Sequence, residues 1–450
     1  MEHSDNLTKE QKKSIFLLQI GTFLEYFDLM LYVHMAVLLN ELFLPKTDPK
    51  MAAVLTAFAF CSTYVLRPFG ALIFGYIGDN YGRKPTVIIT TSIMAISCFL
   101  MANLPTYAEI GITAAVMVSI LRILQGMSSM GEKMGAMIYV TEITKPPIQY
   151  PAVNSIAIAG VFGTMTALAV ATLATRAGFN WRIAFWFGSG VALIGIIART
   201  HLRETPDFTN ENRMKKAVLS SRENGLEKPV ELLKSINPIF KEKLNPKKFF
   251  YFLSVYCGWP LCFYLAYIYF VPTLKNSFSY SSQDIILHNF YLSIVNAALV
   301  CLWSILSKKI YPLFISKTLG FLFTITIIVV PFVLNTHSIY SIYIVQFLSL
   351  MGLSQTPSTS ILIKHFPVLK RFTAATFGYA LSRAVMYVLI SFGLVYLTDW
   401  FGYYGIWVIG FPVTLLWIRA IFYYESLEKD LGNYPLEGEW QVRSISKTGK

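Results

Sequence analysis

Charge is scarce in this sequence. Of 450 residues only 14% are Asp, Glu, Lys or Arg, 55% are hydrophobic, and mean hydropathy is +0.53. Soluble domains carry about 25% charged residues, which excludes an ordinary soluble domain. Acids are the rarer sign, 25 against 38 basic residues, for a net charge of +13. That excess suits no nucleic-acid partner, because the basic residues gather in a few polar segments rather than on one compact domain. Cysteine and histidine are also few, five and six. Cys61, Cys98, Cys257, Cys262 and Cys301 fall inside apolar runs and read as small buried apolar residues, not disulfides. Cys257 and Cys262 lack metal-type spacing and nearby His. No metal and no cofactor is therefore expected. A phosphate loop is missing: GDNYGRKP lacks the G-x-x-x-x-G-K-[ST] spacing, and Pro85 stands where the hydroxyl belongs. No Ser/His/Asp arrangement appears, so the chain is not expected to be an enzyme.

What is present is a series of apolar runs, roughly 20 residues or longer, enough to cross a hydrocarbon core of about 30 Å. Twelve are expected: Ser14–Asn40, Ala52–Ile77, Pro85–Asn103, Tyr107–Val140, Tyr150–Thr175, Trp181–His201, Phe249–Leu274, Ile285–Leu306, Ile310–Leu334, Ile339–Ile363, Phe372–Thr398 and Tyr403–Tyr424. A spanning segment must satisfy its own backbone hydrogen bonds, so each is read as a helix. The first run is too long for a leader and carries Glu25 and Asp28.

Residues 203–248 are polar, Lys-rich and interrupted by Pro206, Pro229, Pro238 and Pro246. They separate six runs (1–202) from six more (249–450) and read as a solvated basic tether. The Lys and Arg residues concentrate in this tether and at the two termini, which places all three in the cytoplasm by the positive-inside rule. The expected fold is an all-α polytopic membrane protein, twelve transmembrane helices in two six-helix bundles.

An ionisable residue near a bilayer centre costs at least about 2.5–3.5 kcal/mol on insertion scales and needs a partner, water or a task. In GTFLEYFDLMLY of the first run, Gly21, Glu25, Asp28 and Tyr32 share one helix face. Two carboxylates one turn apart repel, which favours an exchangeable proton on at least one. The alternative is a structural pair neutralised by Arg. In the fourth run, Arg122, Gln125, Ser129, Glu132, Ala136 and Tyr139 form a polar stripe. Arg122 is the natural counter-ion for Glu25 or Asp28, or an anchor for a substrate carboxylate, because its fork binds carboxylates in bidentate fashion. Lys133 points about 100° from Glu132 and pairs locally or lines the pathway, and Glu142 reads as structural. Arg67, before Pro68, is expected to be paired. In the eleventh run Arg383, with Tyr379 and Tyr387 four residues either side, is a candidate substrate ligand or a structural charge. The seventh run is aromatic, with Trp259, Phe263, Tyr264, Tyr267, Tyr269 and Phe270. It packs, gates, or holds a cationic headgroup by cation–π attraction, for which Tyr264 and Tyr267 are candidates.

Between the second and third runs lies RPFGALIFGYIGDNYGRK (Arg67–Lys84). Gly75, Gly78 and Gly82 are expected to let the two helix ends approach, with Asp79, Arg83 and Lys84 at the water boundary. This loop, together with GTFLEYFD, RILQG followed by GE-x-x-GA and Glu142, NWRIAFWFG (Asn180–Gly188) and RETPDF (Arg203–Phe208), resembles the metabolite:proton symporter branch of the major facilitator superfamily. That group includes proline/betaine, α-ketoglutarate, citrate and shikimate carriers. The resemblance is strong up to about Phe208; beyond it only the span pattern agrees. It implies a two-bundle fold, alternating access and proton-driven uptake. It also implies that Glu25, Asp28, Arg122 and Glu132 line the coupling region, and that Gly75, Gly78, Asp79, Gly82 and Arg83 form a cytoplasmic gate. Departures are present. Asn80 replaces the usual Arg, Met130 breaks the usual paired glycines, and Lys133 replaces an uncharged residue. The second-half loop SKKIYPLFISKT has no Asp and no Gly.

The expectation is a secondary active transporter, proton-coupled, for a small polar metabolite such as a proline- or betaine-like zwitterion. The alternatives are an organic anion or dicarboxylate symporter, or a non-transporting sensor that keeps the fold. Expected partners are a small-molecule substrate, protons and the lipid bilayer, with the chain a monomer in a bacterial inner membrane.

Overall fold

The computed structural model describes residues 7–43, 64–176, 180–200, 243–353 and 357–435. Its first half contains α1 (Lys9–Phe43), α2 (Arg67–Asn80), α3 (Arg83–Asn103), α4 (Ile112–Ile143), α5 (Gln149–Arg176) and α6 (Arg182–Thr200). The second half contains α7 (Pro246–Tyr256), α8 (Gly258–Tyr267), α9 (Val271–Phe278), α10 (Ser282–Leu306), α11 (Pro312–Leu334), α12 (Ile339–Met351), α13 (Thr359–Lys364), α14 (Val368–Phe401) and α15 (Gly405–Asp430). Among the described residues, eight helical stretches are long and apolar enough to cross a membrane. The tether lies outside the described residues up to 242.

Where it is described, each apolar run meets helix, residues 52–63 of the second lying outside the described set, but three are not single rods. The fourth run is split by Gly111 at φ +60°, which separates the turn Tyr107–Ile110, held by a Thr106/Glu109 capping box, from α4. The seventh run is α7, α8 and α9 in succession. Pro260 and Pro272 cannot donate to the carbonyls of Tyr256 and Ile268, and the helix breaks at those two places. The tenth run is α12 and α13, with residues 354–356 outside the described set.

Between helices in lipid the hydrophobic effect supplies little drive, and close van der Waals contact across small residues takes over. α1 lies along α5, where a Cβ on Gly163 would meet the Phe23 carbonyl oxygen. Gly163→Val should separate the two helices and cost about 1–3 kcal/mol or more. A thermal-unfolding midpoint in detergent equal to wild type would contradict this. α2 has two faces. Gly70, Ala71, Phe74, Gly75, Gly78 and Asp79 are buried, while Phe69, Leu72, Ile73 and Tyr76 are exposed where lipid would lie. The halves meet along α2–α14 and α5–α10.

Candidate functional site

At the end of the molecule that carries the α2–α3 hairpin, the halves are closed on both sides. Asp79 of α2 accepts from the Thr373 amide (2.9 Å), the Thr373 hydroxyl (2.6 Å) and the Phe372 amide (3.3 Å) of α14. A Cβ on Gly75 would sit 2.9 Å from Thr373 Cα, and one on Gly78 would sit 2.8 Å from the Phe372 ring. These two glycines therefore serve the contact with α14 rather than the approach of α2 to α3. Gly82 alone serves the hairpin, at φ +121°, a conformation L side chains rarely adopt. The Arg83 side chain lies outside the described set. Arg371 Nη1 of α14 pairs with Glu142 Oε1 of α4 at 3.1 Å. On the opposite interface Asn154 donates to Ser307 Oγ at 3.3 Å, and the Tyr150 and Tyr311 rings meet edge to face.

Behind this closure lies a cavity of about 80 Å³ between the halves. By the same measure one water needs roughly 10–15 Å³. α1, α4 and α5 wall it on one side, and α7, α8, α10, α12, α13 and α14 on the other. Among the described residues its charged lining is two cations, Lys133 from the first half and Arg383 from the second, with Asn154, Thr164, Asn296, Ser304, Thr359 and four tyrosines as neutral polar groups. Lys133 Nζ donates to the Tyr26 hydroxyl at 2.6 Å, and that hydroxyl lies 3.2 Å from the Tyr379 hydroxyl across the bundles. Arg383 is 2% exposed. Its guanidinium lies 3.5 Å over the Tyr379 ring and 4.7 Å over that of Trp259. Among the described residues Arg383 Nη1 and Trp303 Nε1 have no hydrogen-bond acceptor. Phe263 stacks on Trp259 and Tyr267 at centroid distances of 4.9 and 5.1 Å.

The carboxylates of α1 do not line the cavity. Asp28, 3% exposed, points into the first bundle, where the Cys98 thiol of α3 donates to its Oδ1 at 2.7 Å. Cys98 is thus more than an apolar filler; Cys61 lies outside the described residues. Arg122 Nη1 donates to Gln125 Oε1 at 2.9 Å, and its guanidinium lies 3.9 Å over the Tyr32 ring. Its charge acts on Asp28, yet no ion pair joins the two among the described residues. The expected counter-ion is held by an amide and a ring instead. Glu25, 2% exposed, acts electrostatically on Tyr26, Lys133 and Tyr379, which links it to the cavity side.

Other candidates scatter. Tyr267 lines the cavity, whereas Tyr264 is buried elsewhere, 6.4 Å from the Tyr269 ring. The Glu132 side chain lies outside the described set. Among the described residues Arg67 has a ring rather than a carboxylate for a partner. It lies 4.1 Å over Tyr64, whose ring is 4.0 Å from Tyr387 of α14. Sequence reasoning missed Tyr26, because a helix-face search centred on Glu25 passes over the residue about 100° away. It also missed Trp303, which, three residues from the end of its run, reads as part of an interfacial belt.

Comparison with known proteins places this architecture. A proline/betaine transporter of Escherichia coli (strain K12) is 35% identical over 204 residues, 44% of this chain and 41% of that protein. The chain thus matches less than half the length of this curated relative. The proton:xylose symporter XylE bound to 6-bromo-6-deoxy-D-glucose superposes with a TM-score of 0.72 at 16% identity, over 92% of this chain and 95% of that one. The human organic anion transporter MFSD10 (TETRAN) gives 0.64 at 15% identity, over 92% and 100%. At these identities the likeness is one of fold: twelve helices in two bundles of six. The family model described as Major Facilitator Superfamily matches residues 18–393, and the chain belongs to that superfamily.

Proposed function

We propose that this transporter takes up a small carboxylate-bearing metabolite together with protons, by alternating access. The observation that carries the reading is the Arg383 guanidinium at the central cavity, stacked on two rings with an Nη1 that has no acceptor. A fork donor in that position suits a carboxylate. The name of the E. coli relative makes a proline- or betaine-like zwitterion the first substrate to test. A second reading, an organic anion or dicarboxylate, is favoured by Lys133, which puts a second cation at the same cavity. It is favoured too by the rings of Trp259, Tyr379 and Tyr26, which already face protein cations. On this reading residues 1–202 and 249–450 rock about the cavity as two units joined by 203–248. Both termini face the cytoplasm of a bacterium, and the monomer is sufficient.

Proteoliposome uptake of radiolabelled proline, glycine betaine and succinate under an inward proton gradient tests it. One of the three should accumulate, and a protonophore should collapse the accumulation. Arg383→Gln should raise KM for that compound at least about tenfold, with a smaller change in kcat. No accumulation of any of the three, or an unchanged KM in the variant, would remove the carboxylate reading.

A further inference from the structure

Cys98 is a polar group that the transport reading leaves unused. It lies on α3, 2% exposed, with its thiol directed at Asp28 Oδ1 2.7 Å away. Asp28 Oδ2 has no partner at full hydrogen-bond distance among the described residues, although the Gln125 amide acts on the carboxyl group from further off. The polar groups packed nearest are Arg122 and Gln125 on α4, which hold each other, and Tyr32, which lies under Arg122. Glu25 stands one turn back on α1. α5 and α6 bring Gly163, Phe187 and Gly188 against Phe27, none of which titrates. A Cβ on Gly188 would sit 3.5 Å from the Cys98 sulfur, so the thiol has little room to turn elsewhere.

We infer that Cys98 is a positioning residue for the exchangeable proton of Asp28, holding Oδ1 so that Oδ2 takes and releases the proton. The inference rests on the proton-coupled reading above. An acid that gains and loses a proton in every cycle works poorly if a bidentate Arg locks it as carboxylate. Here Arg122 is occupied by Gln125 and Tyr32, and the close donor to Asp28 is a thiol, a weak donor, with the neutral Gln125 amide acting from further off. A weak donor orients the carboxyl group in both protonation states without strongly favouring the charged one. The S–H bond stays intact throughout. Only the Oδ2–H bond forms and breaks, with the proton arriving from water and returning to it.

Infrared difference spectroscopy of the purified protein in lipid tests this without any substrate. The carboxylic-acid band absent from Asp28→Asn belongs to Asp28, and its pH midpoint is compared in wild type, Cys98→Ser and Cys98→Ala. A hydroxyl donates more strongly than a thiol, so the midpoint should fall in Cys98→Ser. It should rise by about 0.5–1 pH unit in Cys98→Ala, where the donor is gone. The wild-type S–H stretching band, missing from both variants, should move in step with the Asp28 band. Coincident midpoints, or an S–H band indifferent to that titration, would overturn the inference. If Cys98→Ala fails to fold, Cys98→Ser and the S–H band still decide. Coincident midpoints with uphill uptake lost in Asp28→Asn would discard the Cys98 role alone. Normal accumulation by Asp28→Asn would discard proton coupling through Asp28, and this inference with it.

Discussion

Asp28→Asn should abolish accumulation against a gradient while leaving counterflow exchange measurable. One proton moving down a difference of one pH unit supplies about 1.4 kcal/mol, enough for about tenfold accumulation of a neutral solute. An amide cannot carry that proton, so the variant should equilibrate its substrate at a ratio of about one. Asp28 is almost wholly buried against α3 and α4, away from the cavity lining. The substitution should therefore spare substrate binding and change KM for exchange only about two- to threefold. Glu25→Gln is predicted to differ. Because Glu25 acts on Lys133 and Tyr379, it should raise KM as well as weaken accumulation. If proteoliposomes carrying either variant accumulate substrate like wild type, coupling through α1 is wrong.

The second large effect is expected at Asp79. Its carboxylate gathers two main-chain amides and one hydroxyl of α14. Hydrogen bonds to a charged group contribute about 1.5–3 kcal/mol each. Even a net loss of about 3 kcal/mol, after water replaces part of the set, changes the ratio of closed to open forms by on the order of 100-fold. Asp79→Ala should therefore hold the hairpin end open. Hydrogen–deuterium exchange is the readout: amides of residues 368–376 should lose protection by on the order of 100-fold, with those of α11 and α15 unchanged. Asp79→Asn keeps one acceptor and should fall between the two. Unaltered protection of 368–376 in Asp79→Ala would show that the Phe372 wedge against α2 and α4, and the Arg371–Glu142 pair, close this end without it.

Much of this molecule is legible in its sequence because a bilayer leaves few choices. A run of about 20 apolar residues has one way to satisfy its backbone, so the spans and the two-bundle plan followed from hydropathy alone. The charge runs were equally legible, and so was Arg383 as a candidate, the lone guanidinium of the eleventh apolar run. Pro260 and Pro272 were visible too, although their consequence, a seventh span broken into α7, α8 and α9, depends on what replaces the missing hydrogen bonds.

The partners were not legible. Helical periodicity states which residues share a face, not which helix that face meets. Glu25 and Asp28 share a face of α1 in sequence, yet they serve different surroundings: α3 and α4 reach Asp28, while Glu25 acts on Tyr26, Lys133 and Tyr379. Gly75 and Gly78 belong to a hairpin signature but make room for residues almost 300 positions away in α14. Arg122, expected beside a carboxylate, and Arg67, expected to be paired, are seated on tyrosine rings. Cys98 looked apolar until α3 turned it toward Asp28. The sequence by itself determined the solvent this chain lives in, where its apolar runs lie, and the side chains whose burial demands a reason. Tertiary structure alone decided which of those charges face a common cavity and which face each other. That choice depends on close contacts between distant helices, where ångström differences at glycine, tyrosine and guanidinium outweigh any preference written locally.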